Sequence, residues 1–140
     1  MQLTVHDVDV PELAARVEAG LDAFNGEVAA LRDVRPLSAF AHDAAGALLG
    51  GAVGRTWGEC CELQQLWVDS TCRRQGLGTQ LVRAFERAAA GRGCRRIYLE
   101  TFSFQAQSFY DKLGYALALD IRGFAPGIVK CLMMRELPPR

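Results

Sequence analysis

Residues 63–90 read LQQLWVDSTCRRQGLGTQLVRAFERAAA. The apolar, β-leaning run of Leu63, Leu66, Trp67 and Val68 stops at Asp69-Ser70. A basic turn punctuated by glycine follows, Arg73-Arg74-Gln75-Gly76-Leu77-Gly78. Beyond it Leu77, Leu81, Val82, Phe85 and Ala89 recur at helical spacing, which leaves Thr79, Gln80, Arg83, Glu86 and Arg87 for the other face. Strand, glycine turn and helix in this order aim backbone N–H groups at an anion. The first turn of a helix carries N–H groups without an intrahelical partner, and its dipole favours negative charge. Glycine lets the backbone approach a ligand closely. The two arginines add fork-shaped cationic donors suited to phosphate.

The phosphate chemistry narrows by exclusion. Gly78 is followed by Thr79 and not by Lys, so the Walker pattern is absent. After Gly76 and Gly78 the third position of a dinucleotide GxGxxG is Leu81, so that pattern is absent too. Alone, the turn also fits a basic helix cap facing solvent. A second stretch changes the reading. Residues 97–115, IYLETFSFQAQSFYDKLGY, alternate as a strand through Ile97, Leu99 and Thr101, then pass through a loop and a short helix to Tyr110-Asp111-Lys112-Leu113-Gly114-Tyr115.

The two stretches together resemble the GCN5-related N-acetyltransferase (GNAT) superfamily. The turn matches its [QR]-x-x-G-x-[GA] pyrophosphate loop, and Phe109 to Tyr115 is similar to its FY-[DE]-K-x-G-[FY] signature. The resemblance covers roughly residues 37–137, and the TFSFQA run at 101–106 also looks like a bacterial subgroup of small, single-domain members.

Length and composition suit a single small domain. The chain has 140 residues, half of them apolar, which suits one compact domain over 1–140. A formal net charge of zero argues against a nucleic-acid partner. No apolar run approaches membrane-spanning length and no signal peptide is evident, so no membrane partner and a cytoplasmic location are expected. Five cysteines without a CxxC, and two histidines without ligand-like spacing to them, argue for reduced thiols and no metal.

In chain order, residues 3–5 suggest a first strand, and Asp9 a cap for a helix with Pro11 in its first turn. Residues 27–32 suggest a second short helix or a loop over the site. Residues 37–43 and 48–53 form a hairpin, with Gly50, Gly51 and Gly54 signalling a bulge or close backbone approach. Strand 59–68 enters the turn, helix 77–90 ends near Gly91 or Gly93, and strand 95–101 follows. A helix starting at Ser103 or Gln105 and ending at Gly114, a strand over 115–121, a loop over 122–127 and a strand over 128–137 complete the chain. The expected fold is α/β (α+β): a mixed central sheet of six to seven strands flanked by helices, the order of the GNAT-like acyl-CoA N-acyltransferase fold.

The resemblance implies acetyl-CoA as acetyl donor. Amides of Arg74, Gln75, Gly76, Leu77, Gly78 and Thr79, with Arg73 beside them, would hold its pyrophosphate. Leu66, Trp67 and Val68 would pair with the pantetheine amides as an added strand. Ser103, Gln105 and Ser108 stand where members place further cofactor contacts. Tyr110 matches the tyrosine that donates a proton to the departing thiolate. Glu62 is the candidate base, with Glu59 and Glu100 as alternatives, and many members use a water chain with no dedicated base. Three departures stand out: Ser103 to Gln105 replaces a common asparagine, Cys72 precedes the turn, and Ile128 stands where the subgroup has histidine. The activity implied is N-acetylation of a small-molecule primary amine by direct attack. A protein N-terminal or lysine acetyltransferase and a silent acyl-CoA-binding module are the alternatives, and a homodimer through the apolar last strand is an option.

Overall fold

The computed structural model describes residues 1–28 and 33–139. The chain divides into two compact units, Met1–Asp33 and Val34–Arg140. In the first, α1 (Pro11–Asn25) begins with proline at its start, and its cap residue is Val10 rather than Asp9. The missing N–H of proline costs nothing at this position, and no side chain caps the other N–H groups of the first turn. Residues 3–5 form no strand. Three residues gain little from a ladder, and the described part of this unit offers no strand to pair with. The helix or loop expected over 27–32 reaches into residues 29–32, which lie outside the described ones.

The second unit is a six-stranded sheet in the order β1-β2-β3-β4-β6-β5. The strands are β1 (Arg35–His42), β2 (Leu48–Trp57), β3 (Cys60–Val68), β4 (Arg96–Phe102), β5 (Ala116–Ala125) and β6 (Ile128–Glu136). Two helices interrupt them, α2 (Leu77–Gly91) and α3 (Gln107–Lys112). All neighbours run antiparallel except β3 and β4. A parallel pair needs a crossover, and α2 supplies it.

α2 buries Leu81, Val82, Phe85 and Ala89, the stripe that its sequence spacing marks. β2 is built to receive it. Gly50, Ala52, Gly54 and Thr56 point to one face and are all buried, a small-residue track that lets the helix lie close. A Cβ at Gly50 would sit 3.0 Å from a Leu81 methyl, and one at Gly54 2.9 Å from the Phe85 ring. Ile97, Leu99, Cys131 and Met133 complete the core below.

The other differences from the sequence reading are local. Gly93, at φ 92°, is the left-handed stop after α2, whereas Gly91 is its last residue. α3 starts later than expected, at Gln107, because Ser103 and Gln105 spend their side chains on the preceding turn. The loop expected over 122–127 is mostly strand: β5 continues to Ala125, which pairs with Ile128 across Pro126-Gly127. Proline followed by a glycine at φ 77° is the chemistry of a tight turn, so the hairpin closes in two residues. β6 lies between β4 and β5 with both edges paired, which closes it to strand addition by another chain.

Candidate active site

Two features of β3 create the site. The first is a bulge. Val53 pairs with Gln65 and Gly54 with Leu63, so Gln64 is an extra residue facing no partner. The second is divergence. β3 and β4 pair only from Cys60↔Arg96 to Leu63↔Leu99. Past that point β3 follows β2 to Val68↔Gly50, and β4 follows β6 to Phe102↔Lys130. The strands therefore splay, and residues 64–68 present unpaired backbone toward the gap. Glu62, Gln64, Glu100, Thr101, Phe102, Gln105 and Lys130 line a cleft of about 250 Å³ there.

At the end of β3 the chain turns sharply. Asp69 accepts from the Thr71 N–H at 3.0 Å and from the Thr71 hydroxyl, which holds its carboxyl below the usual range. Arg74 then takes φ 63° and Gly76 φ 80°, both left-handed, before α2 starts at Leu77. Alternating hands in a short turn point successive N–H groups into one concavity. No backbone N–H of residues 73–79 donates to a protein acceptor among the described residues; the first donation belongs to Gln80, to the Gly76 carbonyl. These donors face an open cleft of about 750 Å³. Nor does any carboxylate lie within ion-pair distance of Arg73, Arg74 or Lys112 among the described residues.

Most of the expected binding residues meet in that cleft: Leu66, Trp67, Val68, Arg73, Arg74, Gly76, Leu77, Gly78, Thr79 and Gln105. Gln105 lines the splay cleft as well, so the two spaces adjoin. Gln75 turns its side chain back to the Thr71 carbonyl. Ser103 donates to the Gly127 carbonyl at 3.2 Å and accepts from the Val129 N–H at 3.0 Å, tying the loop to β6. Ser108 is exposed on α3, outside the lining. Phe109 and Lys112 join the cleft although the sequence reading did not select them. Their spacing of three on one helix was the available signal.

Tyr110 is 5% exposed, packed edge-on against Phe109 and Tyr115 at 5.1 and 5.5 Å between ring centres. Its hydroxyl has no hydrogen bond among the described residues. Since no fully buried side-chain polar atom there lacks a partner, that oxygen must reach open space. Burial pushes the Tyr110 phenol up to about 12, so it stays protonated where a free tyrosine ionises. Glu62, still in the paired part of β3, lines the splay cleft and accepts from Arg55 Nε at 3.0 Å.

Glu86, counted with the polar face of α2, is buried at 4% exposure. It is stable there because Arg83, Arg135 and Tyr115 all donate to it.

A free-amide nest at a helix start, beside a strand with an unpaired edge, can hold a diphosphate and extend a strand-like chain toward the splay. Residues 7–115 match the model of the acetyltransferase (GNAT) family. Blasticidin-S acetyltransferase of Streptomyces morookaense is 40% identical over 109 residues, covering 75% of this chain and 80% of that protein. The crystal structure of an acetyltransferase from Bacillus cereus is 25% identical, with a TM-score of 0.79 over 96% of this chain and 98% of its own. An aminoglycoside 6'-N-acetyltransferase complexed with coenzyme A shares the fold, with a TM-score of 0.66 at 23% identity over 100% of this chain and 99% of its own.

Proposed function

The chain belongs to the acetyltransferase (GNAT) family, an N-acetyltransferase by that membership, and from this premise we propose that it moves an acetyl group from acetyl-CoA to a primary amine of a small molecule. The observation that carries the reading is the row of unpartnered N–H groups at residues 73–79 beside a free β3 edge. These residues fit coenzyme A: the nest and Arg73, Arg74 and Lys112 suit its phosphates, and residues 64–68 suit its two amides. When bound, acetyl-CoA supplies an activated acyl group as a thioester.

The chain's own groups then have separable tasks. The N–H groups at the end of β3 orient and polarise the acyl carbonyl as preset donors. The splay admits the amine, and the adjoining clefts bring it to the acyl carbon by direct attack. Glu62 takes the proton that the amine loses, directly or through water. Tyr110 holds a proton on its hydroxyl for the sulfur that leaves. Coenzyme A and an acetylated amine are the products, and the two protons balance.

The small-molecule class is supported by the relative named for blasticidin S. The test is thiol release from acetyl-CoA against a panel holding blasticidin S, aminoglycosides, polyamines and peptides with a free N-terminus or lysine. We expect turnover with a small amine. Turnover confined to peptides would replace this reading with a protein acetyltransferase, and binding of coenzyme A without turnover of any amine would reduce the chain to a binding module.

The loop makes its own prediction. Gly76 has no neighbour within 4 Å of an added Cβ, so its role is conformational, at φ 80°. An L side chain there costs about 1–2 kcal/mol. If the strain is relieved by turning the amides away, Gly76→Ala should weaken coenzyme A binding about tenfold in a calorimetric titration, with little change in melting temperature.

A further inference from the structure

Glu86 is the one charged residue buried in the core among the described residues. An isolated carboxylate in that position costs several kcal/mol, and donors must answer it. Arg83 Nη1 lies 2.7 Å from one of its oxygens, and Arg135 Nη1 and the Tyr115 hydroxyl each lie 2.9 Å from the other. Arg83 reaches further, donating through Nη2 to the Leu113 carbonyl at 3.0 Å. The network thus joins α2, β6 and the C-terminal end of α3.

All of it stands behind Tyr110. The Tyr115 ring meets the Tyr110 ring at 67°, and the Tyr115 N–H donates to the Tyr110 carbonyl at 3.0 Å. α3 has six residues, too few to hold a direction by itself, so its attachments set where Tyr110 points. Aliphatic packing in the same volume would often be as stable as the ion network. It would not fix the rotation of the Tyr115 ring, which a hydroxyl bound to a fixed carboxylate does.

We infer that Glu86, braced by Arg83 and Arg135, is a positioning residue that acts through the Tyr115 hydroxyl to hold Tyr110 in its working direction. The inference rests on the reading of Tyr110 as the proton donor, and the experiment separates the two. The probe reaction is thiol release from acetyl-CoA with hydroxylamine, a small amine that is neutral near neutral pH and needs no acceptor recognition. Parent, Tyr110→Phe, Tyr115→Phe and the double variant form a cycle. Tyr115→Phe removes one oxygen and keeps the ring. It should lower kcat about tenfold with KM for acetyl-CoA unchanged, and it should add nothing once Tyr110 is phenylalanine. Arg83→Gln, which releases both Glu86 and the Leu113 carbonyl, should behave the same way.

Full kcat in Tyr115→Phe would overturn the inference. So would an equal loss with and without the Tyr110 hydroxyl, because a packing defect does not depend on that oxygen. Full kcat in Tyr110→Phe alone would remove the proton donor, and the positioning role would go with it.

Discussion

Tyr110→Phe is expected to lower kcat about 100-fold, within the usual range for removing a general acid, while coenzyme A affinity stays within about twofold. The separation follows from geometry. Phe109 and Lys112 line, from α3, the cleft proposed for coenzyme A, whereas Tyr110 is buried beside them and lines neither cleft, its hydroxyl not fully enclosed. The lost oxygen makes no hydrogen bond among the described residues, so the fold loses nothing by its removal. The pH dependence sharpens the test. Burial raises the Tyr110 phenol from 10.0 to about 12, so the donor form persists above the ordinary tyrosine range. kcat in the parent should therefore rise as the acceptor amine loses its proton, then stay level through the pH where exposed tyrosines ionise. The same shift has a cost in stability. A group held protonated in the folded state favours folding fully below its unfolded value, and that advantage is lost as pH rises from about 10 toward 12. Cys61, pushed from 9.0 to about 12 chiefly by burial, acts in the same sense, so alkaline melting should begin above about pH 9.

What could be read from the sequence was what lies close along the chain. The turn at 73–79 was legible because glycine spacing and adjacent arginines are local signals, and the structure leaves its amides free. The amphipathic stripe of α2 was legible for the same reason, down to Ala89. Long-range register was not. Nothing in LQQLW says that Gln64 is the extra residue of a bulge, or that pairing with β4 stops at Leu63. The glycines of β2 hinted at it, yet the backbone that Gly54 and Gly50 approach, the Glu62 and Trp67 carbonyls, is known only once the strands are aligned. Glu86 was misread because helical periodicity sorts residues by polarity and cannot see three donors arriving from α2, β6 and Tyr115. Residues 122–127 looked like a loop because glycine and proline cluster there, but two of them form only a turn.

Gly54→Ala is expected to destabilise the second unit by about 3 kcal/mol or more, the upper part of the overpacking range. An added Cβ would lie 1.9 Å from the Glu62 carbonyl oxygen and 2.9 Å from the Phe85 ring. Neither neighbour can move cheaply. The Glu62 carbonyl belongs to the β3 backbone, registered on Arg55 and Tyr98 at either side. Phe85 is fully buried between α2 and the sheet. Against a typical net stability of 5–15 kcal/mol, such a loss should lower the melting temperature by roughly 10 °C. Gly91→Ala is the control: a Cβ there meets nothing within 4 Å, and alanine suits a helix end at least as well as glycine. The consequence reaches the chemistry, because Gly54 sits at the register shift that leaves Gln64 bulged and sends β3 away from β4. β3 can relieve the clash only by sliding or lifting there, which changes the unpaired edge at residues 64–68. Coenzyme A binding should therefore weaken even at temperatures where the variant is folded. A Gly54→Ala protein as stable as its parent would mean that β3 shifts freely at this point, and a freely shifting strand cannot be what holds the splay open.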